Sequence, residues 1–103
     1  MIYTIDEIKE KIRPIAEKYN LPAVYLFGSY ARGEADEKSD IDILVDISGT
    51  GIKGLWKWSG LTDDFKNQIK KPMDVVDAEV FNFSKDKEFI NNIKNDMVNI
   101  YAR

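Results

Sequence analysis

The chain has 103 residues, 44% hydrophobic and 32% charged, with a formal net charge of -3 and neither His nor Cys. That length bounds it to a single domain, residues 1–103, with one modest core; its acidic balance argues against a general nucleic-acid binder, which carries a basic face. Without His and Cys, the commonest general base, the thiolate nucleophile, disulfides and cysteine-ligated zinc are all excluded. Chemistry would fall to Asp, Glu, Ser, Tyr, Lys and Arg, and oxygen-only ligands favour magnesium, manganese or calcium. No apolar run approaches the roughly 20 residues that span a bilayer. The first residues lack the basic-then-apolar pattern of a signal peptide, so the expected location is the cytoplasm.

Ile5, Ile8, Ile12, Ile15 and Tyr19 recur at three and four, predicting an amphipathic helix. Thr4 and Glu7 form a capping-box pattern at its start. Pro14 is expected to kink the helix, or to split it and start a second piece. Asn20-Leu21-Pro22 is a stop, and Ala23 to Phe27 reads as a short buried strand. Gly28 to Glu34 predicts a tight turn into a short helix ended near Gly33, followed by a charged loop from Ala35 to Ser39. From Asp40 to Ile47 the chain alternates: Ile41, Ile43, Val45 and Ile47 on one face; Asp40, Asp42, Leu44 and Asp46 on the other. After the loop Ser48-Gly49-Thr50-Gly51, a second long helix carries its core stripe at Leu55, Trp58, Leu61 or Thr62, Phe65 and Ile69. Lys70-Lys71-Pro72 ends it, and Met73 to Val76 is a third strand. Ser84 is the expected cap of a last helix with a core stripe at Phe89, Ile93, Met97 and Ile100 or Tyr101. The order α-β-α-β-α-β-α gives an α+β fold, a small mixed sheet flanked by helices.

The chemistry is concentrated in Gly28-Ser29, ten further residues, then Asp40-Ile41-Asp42. Two positions along a strand place side chains on one face about 7 Å apart. Carboxylates so placed can converge on one metal ion or straddle two, stabilising the attacking and leaving oxygens of a phosphoryl or nucleotidyl displacement. A D-x-D alone is as readily the solvated face of an edge strand, and Asp46 reads as such a residue. Gly28 lets a phosphate approach the backbone, and the following helix start offers free N–H groups beside the Ser29 hydroxyl. The joint pattern, in strand–turn–helix–strand context, arises by chance in about one chain of this length in a thousand. Asp74, an acid amid apolar residues, reads as the third carboxylate, taking the proton from an acceptor hydroxyl; simple exposure on an edge strand is the alternative. Asp77 reads as a turn or cap residue.

The segments Phe27 to Glu34, Ser39 to Val45 and Met73 to Val76 resemble the minimal nucleotidyltransferases of the DNA-polymerase-β superfamily over nearly the whole chain. The resemblance implies a short mixed sheet flanked by helices, nucleotide binding at Gly28 and Ser29, Mg2+ ligation at Asp40 and Asp42, and Asp74 as the third acid beside two metal ions. It places Arg32 at the family's arginine after the Gly-Ser turn, a phosphate contact; a surface pairing with Glu34 or Asp36 is the other reading. It also implies an antitoxin that moves AMP from ATP onto a tyrosine of a HEPN-type ribonuclease toxin. Two alternatives stand beside this: a catalytically silent antitoxin acting by contact, and transfer to a small molecule or RNA end. The segment Ile52 to Gly60 departs from the family in its Trp and Gly content. Little chain remains to shape a small-molecule pocket, so the acceptor surface is expected on another protein or a second copy. Trp56, Trp58 and Tyr30 are interface candidates, with core packing of the Trp residues as the plainer account.

Overall fold

The computed structural model describes residues 2–103. The first helix, α1 (Ile5–Lys18), starts with the capping box: Glu7 N–H donates to Thr4 Oγ1 at 3.1 Å and Thr4 N–H to Glu7 Oε1 at 2.9 Å. It runs as one helix through Pro14, so the expected split does not occur. Pro14 lies on the exposed side of α1, where the carbonyl that loses its partner can turn to water. The opposite stripe, Ile8, Ile12 and Ala16, is fully buried.

The remaining elements follow in order: β1 (Ala23–Phe27), α2 (Gly28–Arg32), β2 (Ile41–Asp46), α3 (Gly54–Ile69), β3 (Met73–Asp77), α4 (Val80–Phe83), α5 (Lys87–Asp96) and β4 (Val98–Ala102). The sheet has the order β3-β2-β1-β4. β1 is antiparallel to β2 and β4, and β2 is parallel to β3. The parallel pair needs a crossover, which α3 supplies.

Cross-strand partners share a face. Val24 opposite Val45 and Leu26 opposite Ile43, with Ile41, form the buried face under α1 and α3, filled by Ile8, Ile12, Leu61, Phe65 and Ile69. Each such side chain contributes roughly 1.5–3 kcal/mol. The other face carries Phe27, Asp42 and Asp74 in one row and Tyr25, Leu44 and Val76 in the next. α5 packs over β1 with Ile90 and Ile93 buried, and Leu44 on this face is fully enclosed.

Two elements differ from the sequence reading. α5 is capped by Asp86, whose Oδ1 accepts from Phe89 N–H at 3.0 Å, not by Ser84. Its buried stripe is Ile90 and Ile93, while Phe89 remains 38% exposed. The helix stops at Asp96, so Ile100 and Tyr101 belong to β4 instead of a helical stripe. The physical reason is pairing: β4 satisfies the backbone groups of β1 that β2 leaves free, a gain no local periodicity reveals. At the start of α3, Leu55 and Trp56 are exposed (80% and 91%) while Trp58 packs against the core. Leu55 is therefore not part of that helix's core stripe.

Candidate active site

β1 ends at Phe27 and the chain turns directly into α2, with Gly28 at φ 76°. A left-handed backbone at this position favours glycine. Space requires it too: a methyl group built on Gly28 would overlap the Asp42 carboxylate of the neighbouring strand. The glycine at the mouth of the turn thus makes room for the acid as well as for any phosphate. Gly33, at φ 73°, closes α2 as expected. With five residues, α2 has little macrodipole; the free N–H groups of its first turn and the Ser29 hydroxyl are the anion donors it offers. Ser29 Oγ makes no hydrogen bond among the described residues.

Asp42 and Asp74 are backbone partners in the parallel register of β2 and β3. Their carboxyl groups are close enough for the charge of Asp74 to act on Asp42. Burial pushes the Asp42 carboxyl up to about 6; the Asp74 charge and the Asp40 charge add to this, and the Arg32 guanidinium opposes it. A carboxyl that resists ionisation next to a second carboxylate is a site short of positive charge.

Asp40 stands apart from that pair. It precedes the first residue of β2 and is exposed, close enough to act on Asp42 through its charge. Among the described residues, no group of three His, Cys, Asp or Glu side chains stands close enough together to hold a metal ion. The pair Asp42–Asp74 nevertheless fits a hard divalent cation: the donors are all oxygen, they stand on partnered positions of neighbouring strands, and a carboxyl that resists ionisation is one a cation would stabilise as the carboxylate.

Arg32, in the last turn of α2, makes both pairings of a surface arginine and more. Its Nε donates to Glu34 Oε2 at 3.2 Å and its Nη1 to Asp96 Oδ2 at 2.6 Å. Its charge also favours the ionised form of Asp42. Asp46 and Asp77 are the last residues of β2 and β3, and their side chains lead into the turns that follow, accepting from Ser48 N–H and Glu79 N–H, each at 2.9 Å. Tyr30 is buried (3% exposed) and so is not available to an interface. Its hydroxyl has no hydrogen-bond partner among the described residues.

A cleft of about 760 Å³ lies at the far ends of β2 and β3, lined by Asp46, Gly51, Lys53, Asp77 and Glu79. The acids are not in it. With Asp74 exposed and Asp42 half-buried, they sit at the surface, where an acceptor must bring its own walls.

Residues 10–103 match the family described as polymerase beta, nucleotidyltransferase. The chain belongs to this family. A Methanocaldococcus jannaschii protein described as a protein adenylyltransferase is 51% identical over 77 residues, 71% of this chain and 77% of that one. The protein adenylyltransferase MntA of Thermococcus cleftensis is 43% identical over 77 residues, covering 71% and 76%. In fold, the chain is similar to a structure of a tri-AMPylated Shewanella oneidensis HEPN toxin in complex with its MNT antitoxin (TM-score 0.67, 19% identity, 97% of this chain and 74% of that one). By family the chain is a nucleotidyltransferase, and both of these relatives are named protein adenylyltransferases.

Proposed function

We propose that this protein transfers AMP from ATP to a hydroxyl of a partner protein, a tyrosine of a HEPN-type toxin, and so acts as its antitoxin. The observation that carries the reading is the Asp42–Asp74 carboxyl pair set in register beside the Gly28-Ser29 turn. Gly28 and Ser29 would bind the triphosphate through backbone N–H groups and the Ser29 hydroxyl, with Arg32 on a phosphate oxygen. Asp74 would accept the proton of the acceptor hydroxyl as its oxygen attacks the α-phosphorus. The bond from that phosphorus to the bridging oxygen breaks and pyrophosphate leaves. Asp42 and Asp74, with Asp40 joining from the loop end, would hold Mg2+, which supplies charge neutralisation on the phosphate oxygens.

Two features support a protein acceptor. The acids lie at the surface instead of inside the cleft. The chain also matches relatives named protein adenylyltransferases and resembles in fold an antitoxin bound to an AMPylated toxin.

The test is incubation with ATP labelled at the α-phosphate, Mg2+ and the product of the neighbouring gene. Label should appear on that protein with the wild-type chain and be lost with Asp74→Asn. A partner neutralised equally well by Asp42→Asn and Asp74→Asn proteins, without label, would establish contact alone as the mechanism.

A further inference from the structure

We propose that Asp96, the last residue of α5, is a positioning residue that aims the Arg32 guanidinium at the nucleotide phosphates. The inference rests on the nucleotide-binding reading above. Arg32 is gripped by two carboxylates, but unequally: Asp96 accepts at 2.6 Å with its side chain 21% exposed, Glu34 at 3.2 Å with 66% exposed. The Asp96 pair is the shorter and less screened, so it decides where the guanidinium points.

The place of Asp96 is itself informative. A carboxylate at a helix C-terminus faces the negative end of the dipole, the wrong sign for stability. α5 is ten residues long and its unpaired carbonyls lie at this end. Arg32 offsets the carboxylate, and in return receives a fixed electrostatic seat on a different element. A residue that breaks a local rule and is compensated from a distance points to a site.

The geometry leaves a hand free. A guanidinium has five N–H donors in a rigid fork. Nε and Nη1 are engaged, while Nη2 has no partner among the described residues. Arg32 lies four residues after Gly28 on α2, so it shares a helix face with the glycine of the turn that would take the phosphates. Held on two sides, it presents its remaining N–H groups without first losing side-chain freedom.

The experiment is calorimetric binding of the non-hydrolysable analogue AMP-PNP with Mg2+ to the full chain, alongside thermal melts. Asp96→Asn should weaken binding about fivefold, because the released guanidinium must then be ordered when the phosphates bind. In an Arg32→Met background the same substitution should change nothing further. Arg32→Lys keeps an ion pair with Asp96 but has no second edge to offer, so it should fold normally and also bind weakly. This variant decides the matter if Asp96→Asn does not fold. Wild-type affinity in Asp96→Asn with a lowered melting temperature would make the pair a mere tether between α2 and α5. Equal losses with Arg or Met at position 32 would show that Asp96 does not act through Arg32. Wild-type affinity in Arg32→Lys would overturn the inference as well. A wild-type chain that binds no AMP-PNP would instead refute the nucleotide reading itself, and this inference with it.

Discussion

Replacing Asp42 by Asn should stabilise the metal-free protein at neutral pH and leave it unchanged near pH 4. The Asp42 carboxyl is pushed from 3.8 to about 6 in the fold. A raised carboxyl binds more protons folded than unfolded between those values, so stability falls as pH rises through that window and stays low above it. The full linkage would be about 3 kcal/mol at 1.36 kcal/mol per pH unit. Asp42 is only half-buried, and solvent screening reduces the effect to roughly 1–2 kcal/mol. Asn keeps the shape, carries no charge and has an N–H group to offer Asp74. The assay is urea unfolding in chelator from pH 4 to 8, comparing midpoints of the wild-type and Asp42→Asn proteins. The difference should be near zero at pH 4, grow through pH 6 and level off above it. Adding Mg2+ and ATP should raise the melting temperature of the wild type alone. A variant less stable than wild type at pH 7, or a difference independent of pH, would refute the reasoning and make Asp42 a structural residue.

Gly28→Ala should cost roughly 1–2 kcal/mol from the left-handed backbone, plus the displacement of Asp42. In an Asp42→Ala background only the backbone part should remain, and equal costs in both backgrounds by denaturant unfolding would show that the two do not compete for space. Tyr30→Phe removes a buried hydroxyl without a partner, so it should be neutral or stabilising by about 1 kcal/mol; a loss of that size would mean that the hydroxyl is bonded in solution. Pro14→Ala should raise the melting temperature, since an interior proline costs up to about 3 kcal/mol against alanine. An unchanged or lower melting temperature would mean that Pro14 is favoured where it sits in α1.

The local features of the fold were legible in the sequence because local physics decides them. The Thr4–Glu7 box, the strand bounded by Pro22 and Gly28, and the glycine closing α2 all appear where spacing puts them. β4 was not legible: Met97 to Tyr101 also continues a helical stripe, and only pairing with a strand far away in the chain chooses between the two. Leu55 failed for a similar reason, because periodicity marks a face without saying how far along it the core extends. At the site, the pairing of Asp42 with Asp74 follows from strand register, which the motif implies but does not contain. Gly28 was read for phosphate approach, while its nearest constraint is the Asp42 side chain. Asp96 was missed, although an aspartate at the end of a helix was the signal available.

The pairing of β4 with β1 also has a kinetic consequence. Val24 lies opposite Tyr101 and Tyr25 opposite Asn99, so almost every other element is made before this ladder can close. Bringing such distant segments together costs loop entropy before any contact rewards it. The strand that delivers the Gly28-Ser29 turn is therefore flanked on one side only until late in folding. During synthesis the turn and the Asp42 strand can meet early as a hairpin, whereas the second border of the sheet waits for the last strand. Slowing β4 should then slow folding through a step that leaves the β1–β2 hairpin already formed.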